Sequence, residues 1–491
     1  MVNAHLETRT RATGSSIPFD LLFNPRAVAI PGANKSPYGG TYFLDILTKN
    51  KFPKPIYPVN PKLAGESLYG YEVYKSIDSL PDDPPVDLAI IAVPAKYTPD
   101  IIKELGLKGI PFAHIFSSGY SEVGATQLEQ ELLENAREYG VRIVGPNCIG
   151  GYNPRSRQAF TEGTSNVPGD VGFISQSGGN AIRLALNGPT HGYYFSKVVS
   201  IGNQIDLDIV DFLEYFKDDP ETKIIAMYVE NVKQQGRRFI KLLKETTLVK
   251  PVVIWKGGSS EAGHGAVISH TGGLAGDHKI WKGLAKQTGT ILVDNFKELT
   301  ETIQAISFYP LPKTLNVGIV VAGGGLAVEG ADNCEKHGLK VSRTSEETQE
   351  KLKYFVPPVN TNINNPIDLG AIGLNTTSFG KTIRILEGEP DISTILITHA
   401  PEEFHKYGTI FKVDDFEGEL VQNLADAKPK DKLLISIPVL LEENMESVQA
   451  RENFVKKLQA HKIMCFSSFG TASRCIKRLL EYHQYLEAHE E

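Results

Sequence analysis

The chain has 491 residues, 41% of them hydrophobic and 22% charged, an ordinary globular balance with length for two to four domains of roughly 100–200 residues each. Its formal charge of −7 argues against a general nucleic-acid or membrane-surface binder, while leaving room for a local basic site that takes an anionic ligand. Cys148, Cys334, Cys465 and Cys475 have no CxxC spacing, so neither a metal site nor a disulfide framework is expected. The opening MVNAHLETRTRATGSS lacks an apolar stretch and no run approaches the ~20 residues of a membrane span, so a cytoplasmic setting is expected.

Short apolar, β-rich runs alternate with longer amphipathic stretches, the pattern of repeated βα units with parallel sheets. The first block, residues 1–150, has strands expected at Ala27–Ile30, Ile56–Val59, Asp87–Val93, Phe112–Phe116 and Val141–Val144, with helices near Thr41–Lys49 and Ala125–Tyr139, and reads as a Rossmann-like domain. The second block, 151–309, has strands at Val171–Ser175, Lys197–Ile201, Ile224–Glu230 and Val252–Lys256. A Gly-rich segment, Gly257 to Gly276, then interrupts the pattern, and helices follow at His278–Gln287 and Phe296–Phe308. Tyr309-Pro310-Leu311-Pro312 reads as a linker into a third block, 310–491, with strands at Val317–Ala322, Ser393–Thr398 and Leu433–Ile437.

The loops at the carboxyl ends of these strands hold the candidate sites, because open α/β sheets bind ligands there. Gly32-Ala33-Asn34 follows the first strand and suits a nucleotide phosphate, although the pattern is not G-x-G-x-x-G. Asn60 and Lys62 end the second strand where a dinucleotide domain would carry a ribose-binding acid, which points away from an NAD(P) oxidoreductase and toward a phosphorylated ribose; an ordinary Pro turn fits the same residues. Val93-Pro94 and Ser117-Ser118-Gly119 follow the third and fourth strands, and Gly145-Pro146-Asn147-Cys148 the fifth. Cys148, with no base near it in sequence, reads as a small buried thiol. Ser175-Gln176-Ser177-Gly178-Gly179 joins a strand to a helix and offers hydroxyls, amides and a helix end to a phosphate; a plain capped helix is the alternative.

The sharpest feature is Ser269-His270-Thr271-Gly272-Gly273-Leu274-Ala275-Gly276. A histidine among small residues presents its imidazole without hindrance, and an unshifted pKa near ~6.5 leaves it largely neutral and nucleophilic toward phosphorus. Glu230, at the end of a strand facing the same crevice, is the candidate carboxylate that fixes its tautomer. His264, on the same loop, is the internal rival, while His191 and His278 read as structural or solvent-facing. Asp368 in Asn365-Pro366-Ile367-Asp368-Leu369 fits an Asx-type turn as well as a functional role.

With LFNPRAVAIPGAN, IYPVNPK, DLAIIAVPAKYTPD, GPNCIG, GFISQSGG, EAGHGAVISHTGGLAG and NNPIDL in this order, the chain resembles the α part of ADP-forming acetyl-CoA synthetases, in the succinyl-CoA synthetase superfamily. The resemblance covers about residues 20 to 370. It implies a CoA-binding Rossmann-like domain and two flavodoxin-like ligase domains with doubly wound parallel sheets. It implies a cycle in which acyl-CoA and phosphate give an acyl phosphate, the phosphoryl group passes to a histidine, and from there to ADP. His270 is then the phosphorylated histidine and Glu230 its partner; Ser175, Ser177, Gly178, Gly179, Asn147 and Gly272 bind phosphate. Gly32, Ala33, Asn34, Asn60, Lys62, Val93, Pro94, Ser117, Ser118 and Gly119 bind coenzyme A. Pro31 departs from the usual turn after the first strand, and Asn187–Tyr194 departs from the usual stretch there, so acetate is not assumed. Nothing after Gly276 reads as an ATP-grasp domain. The expectation is therefore a separate ATP-grasp β subunit carrying ATP or ADP with Mg2+, in an α2β2 assembly acting on a small carboxylic acid. A non-catalytic CoA-binding regulatory or scaffold subunit is the alternative.

Overall fold

The computed structural model describes residues 17–233, 235–260, 263 and 278–489. The chain divides into two compact units, Met1–Glu162 with Ser200–Asp208, and Gly163–Val199 with Ile209–Glu491.

The first unit runs α1 (Phe19–Phe23), β1 (Val28–Pro31), α2 (Gly40–Lys49), β2 (Ile56–Val59), a small hairpin of β3 (Ser67–Leu68) and β4 (Tyr71–Glu72), β5 (Leu88–Ile91), α3 (Thr98–Lys108), β6 (Phe112–Ile115), α4 (Thr126–Tyr139), β7 (Arg142–Val144) and β8 (Gly150–Tyr152). Its five-stranded sheet has the order β2-β1-β5-β6-β7, with parallel ladders throughout. The strands are unbroken apolar runs because both faces are covered. The α3 and α4 side supplies Ile102, Leu105, Leu132 and Ala136 to one core. On α2, Phe43, Leu44, Ile46 and Leu47 are buried. Asp87, fully buried, accepts from the Arg26 backbone N–H at 2.8 Å and from its guanidinium at 2.9 and 2.6 Å, which fastens the entry of β1 to that of β5.

The second unit opens with β9 (Val171–Ser175), α5 (Gly178–Asn187), β10 (Phe195–Ser200), α6 (Ile209–Asp218), β11 (Ile224–Val229), α7 (Gly236–Thr247), β12 (Val252–Lys256), α8 (His278–Thr288), β13 (Ile291–Val293) and α9 (Phe296–Phe308). Here the strands run β13-β12-β11-β9-β10. It continues with β14 (Asn316–Val321), α10 (Gly324–Lys336), α11 (Glu346–Lys353), β15 (Ile367–Asp368), α12 (Ser378–Glu387), β16 (Ile392–His399), α13 (Phe404–Phe411), α14 (Phe416–Asp426), β17 (Leu433–Pro438), α15 (Met445–Ala460), β18 (Met464–Cys465) and α16 (Phe469–Glu487), around a sheet of order β15-β14-β16-β17-β18. All three sheets therefore share one order, counted from the first strand of each: second, first, third, fourth, fifth. That is the flavodoxin-type winding, which reverses direction between the first and third strands. Among the described residues no helix is long and apolar enough to cross a membrane.

The last helix binds the two sheets of the second unit together. Glu298, near the start of α9, takes Arg474 at 2.8 Å and Arg478 at 2.6 Å, and Arg478 also reaches Asp294 at 2.7 Å. Burial works against the Glu298 charge, but Arg478, the Asp294 N–H and Arg474 hold its carboxyl below the usual range. The Tyr482 hydroxyl donates to Thr247 O at 2.8 Å. One turn along α9, Glu301 has no such clamp, and burial pushes its carboxyl up to about 7. The folded chain thus binds more protons than the unfolded chain between about 4.5 and 7, and stability falls as pH rises through that window. Glu301→Gln should stabilise the chain by about 3 kcal/mol at pH 8 and by little at pH 5, read as urea unfolding midpoints at the two pH values.

Candidate functional site

Each sheet opens a crevice where its winding reverses, and the residues singled out from sequence gather at two of these crevices. In the first sheet the crevice lies between β1 and β5. Gly32, at φ +97°, follows β1, and a Cβ there would come within 2.5 Å of Ala92 O and 2.9 Å of Val93 Cγ1. Only glycine lets the two loops touch. Asn34 closes the turn, donating from its amide to Gly32 O at 3.1 Å and from its backbone to Thr41 Oγ1 at 2.8 Å. Asn60 donates to Ala33 O at 2.7 Å and accepts from Lys62 N at 3.0 Å, joining the β1 and β2 loops. Lys62 and Pro94 are exposed beside them. The Ser117 hydroxyl donates to Val93 O, so the β6 loop joins the β5 loop, and Ser118 is exposed. Gly119 N donates to Glu122 at 2.6 Å, and Asn203 donates to the same carboxylate, also at 2.6 Å. Asn147, at φ +57°, donates from its backbone to Ser117 O at 3.0 Å, so it belongs with these loops of the first unit. The crevice wall is preformed and mostly neutral. Cys148 is buried beneath it, and burial pushes its thiol up to about 12, consistent with an inert packing residue.

In the second sheet the crevice lies between β9 and β11, and one buried side chain organises it. Gln176 accepts from Glu230 N at 2.5 Å and Asn231 N at 2.9 Å, and donates to Asn231 O at 2.6 Å. It thereby ties the turn after β9 to the turn after β11. Ser175 Oγ donates to Ser177 O at 2.7 Å and accepts from Ser177 N at 3.2 Å. Ser177 caps α5 by accepting from Asn180 N at 3.3 Å. Among the described residues a Cβ on Gly179 would find only Ser177 Oγ, at 3.9 Å.

Parallel register sets Tyr228 level with Ser175 on one side and Trp255 on the other, and Val229 level with Lys256. Glu230 and Lys256 are both buried. Burial raises the Tyr228 hydroxyl above its ordinary range, and Glu230, to which it hydrogen-bonds, raises it further. Lys256 is drawn down to about 8 by burial, partly offset by Glu230, and its ammonium donates to Gly257 O. Gly257 is required here, since a Cβ would meet the Tyr228 hydroxyl at 2.5 Å. The crevice therefore carries an acid, Glu230, that interacts electrostatically with both a phenol and an ammonium. Sequence reading missed three of its members, Gln176, Tyr228 and Lys256. Lysine at a strand's carboxyl end, directly before Gly257-Gly258, was the signal available for the last of these.

His270, Gly272 and His264 lie outside the described residues. In sequence they fall between Gly263 and the start of α8, on the connection that follows β12. Of the other histidines, His191 has Nδ1 2.9 Å from Asn187 O and its carbonyl accepts from Gln304 at 2.7 Å, a packing role. Asp368 accepts from Gly370 N at 2.9 Å, the Asx-type turn.

Residues 26–154 match the family model described as a CoA binding domain, and residues 168–306 the one described as a succinyl-CoA ligase like flavodoxin domain. The chain is 38% identical over 379 residues to the alpha subunit of acetate–CoA ligase [ADP-forming] II of Pyrococcus furiosus, covering 77% of this chain and 81% of that one. It is 39% identical to the alpha subunit of enzyme I of the same organism, covering 77% and 82%. Among solved structures it superposes with a TM-score of 0.81 on the dinucleotide-forming acetyl-coenzyme A synthetase 1 of Ca. Korarchaeum cryptofilum, determined in complex with phosphate and ADP, at 30% identity and over 96% of this chain and 99% of that one.

Gln176→Leu keeps the volume but removes three buried hydrogen bonds. It should lower unfolding stability by about 3 kcal/mol in denaturant titration, whereas Ser177→Gly, which replaces one cap by another acceptable one, should cost only a few tenths.

Proposed function

The chain belongs to the family of alpha subunits of ADP-forming acetate–CoA ligases, and from that membership we propose the chemistry of its own residues. The protein is the alpha subunit of a nucleoside-diphosphate-forming acyl-CoA synthetase, an acid–thiol ligase that interconverts acyl-CoA, ADP and phosphate with carboxylic acid, CoA and ATP. A partner subunit goes with the alpha designation. We assign to that partner an ATP-grasp fold holding ADP or ATP with Mg2+, in an α2β2 complex, and to this chain three domains, at 1–150, 151–309 and 310–491.

Coenzyme A is assigned to the crevice of the first sheet, with Gly32, Ala33, Asn34, Asn60, Lys62, Val93, Pro94, Ser117, Ser118 and Gly119 around it. A phosphate oxygen attacks the thioester carbonyl, the C–S bond breaks, and the thiolate takes a proton to leave as CoA. The acyl phosphate formed lies at the start of α5, where Ser175, Ser177, Gly178 and Gly179 hold its phosphoryl oxygens, with Gly272 contributing. The free ring nitrogen of His270 attacks phosphorus and the acyl–oxygen–phosphorus bridge opens, releasing the carboxylic acid as its anion. Glu230 holds the proton on the other ring nitrogen and stabilises the phosphorylated ring. The last transfer, to ADP, returns His270 to its free form. The observation that carries this reading is the Gln176 clamp, which fixes the turn after β9 and Glu230 to one another, next to β12, after which His270 follows in sequence.

Labelled ATP and Mg2+ with the partner subunit, or acyl-CoA with labelled phosphate, should give an acid-labile phosphoprotein. His270→Ala should abolish the label and His264→Ala should retain it; label persisting in His270→Ala overturns the assignment, and CoA binding with no label under any condition returns the chain to a regulatory role. Lys256 sharpens the test. Its ammonium loses its proton as pH rises through about 8, so the phosphorylation rate should rise as His270 becomes neutral near ~6.5, hold, and fall above about 8. Lys256→Met should be slow at every pH, by about tenfold or more, and Lys256→Arg should carry the plateau to higher pH, because a guanidinium stays charged.

A further inference from the structure

The winding of the third sheet reverses between β14 and β16, and this crevice holds a cavity of about 130 Å3 that the chemistry above does not use. Ala322 and Leu326, at the exit of β14 and the start of α10, form one side. His399 and Ala400, at the exit of β16, form the other, and Phe379, Phe404 and Val439 fill in the walls. No charged side chain among the described residues lines it. His399 is only 8% exposed, yet neither ring nitrogen has a hydrogen-bond partner among the described residues, and the Thr398 hydroxyl beside it is likewise unpaired. Leaving such groups unpaired in a core costs about 1–3 kcal/mol each. The imidazole cannot turn away to find water, because its ring packs against Phe379 at 4.2 Å, Phe454 at 5.7 Å and Phe404 at 6.4 Å between centroids.

We propose that this cavity is a binding site for a small neutral organic group, about the size of one phenyl ring or a branched aliphatic chain, carrying a single hydroxyl that pairs with His399. Size, polarity and hydrogen-bonding capacity each support this occupant. An apolar cavity of about 150 Å3 stays dry and accepts a benzene-sized guest. Roughly four waters would fit by volume, at ~30 Å3 each, and at about three hydrogen bonds apiece they would need several polar wall groups even after bonding to one another. The walls offer few beyond Asn375, Thr398, His399 and Tyr407. An ion is excluded by the absence of a countercharge. Burial holds the imidazole down at about 3, so the ring is neutral and offers one donor and one acceptor, the complement of a hydroxyl. A pure hydrocarbon would leave the ring unpaired.

The test is calorimetric titration of the full chain with phenol and with toluene, without CoA, nucleotide or partner subunit, so it stands apart from the assignment of His270. Phenol should bind saturably and about tenfold tighter than toluene, the worth of one buried hydrogen bond. Val439→Phe, which fills the cavity, should abolish both. His399→Leu should keep toluene binding and lose the preference for phenol, and this second variant keeps the test decisive if Val439→Phe folds poorly. Absence of saturable phenol binding to the wild type, or an unchanged phenol preference in His399→Leu, overturns the proposal. With the partner present, phenol that competes with the carboxylic acid identifies the occupant as part of the acyl substrate, and phenol that binds without competing identifies it as a free effector; both outcomes support the site.

Discussion

When two neighbouring parallel strands send their connections to opposite faces of a sheet, no connection covers the gap between their carboxyl ends. That constraint governs this chain three times, because the same five-strand winding recurs in each of the three larger sheets. The first crevice falls between Gly32 and Val93, the second between Ser177 and Glu230, the third between Gly323 and His399. Backbone amides, helix starts and the last side chain of each strand converge at such points without any special device. What differs between the three is the side chains that the strand ends deliver.

In the second crevice the delivery is polar, and it has to be made safe. Two turns meet over a buried floor, and their amide groups need partners. Gln176 supplies them, with one oxygen accepting two N–H groups and its amide satisfying a carbonyl. A neutral amide suits this task better than a carboxylate or an ammonium. It can both accept and donate, and it adds no net charge beside Glu230 and Lys256. The frame that holds Glu230 and Lys256 in place therefore stays insensitive to pH.

Much of the scaffold was legible in the sequence because fully buried parallel strands are short, apolar and β-branched. Ile56–Val59, Val171–Ser175, Val252–Lys256 and the helix Phe296–Phe308 stand where the pattern put them, and other boundaries moved by one or two residues. Strands β13, β15 and β18 were not separable from their surroundings, having only two or three residues each. At the crevices, glycines and serines were readable because close approach and capping demand those residue types. Gln176, Tyr228 and Lys256 were not, since their importance comes from register across β9, β11 and β12, which no local window contains. Asn365 is a similar case. It accepts from Ile319 N at 2.9 Å and donates to Val317 O at 2.7 Å, so it pairs with the edge of β14 through contacts 46 and 48 residues away in the chain.

Burial acts in opposite senses at the second and third crevices. Lys256 is desolvated beside a carboxylate, and the opposing effects leave its proton exchange near the neutral range. Such a group changes charge at little cost when the charge beside it changes. His399 is desolvated among phenyl rings with no countercharge, which holds it neutral across the whole physiological range. It would recognise a hydroxyl by geometry alone, and a fixed dipole buried among rings discriminates more sharply than one exposed to water, because a mismatched guest leaves it unpaired. A crevice walled by ionisable groups and one walled by phenyl rings thus have opposite needs, and repeating one winding lets a single chain build both without either compromising the other.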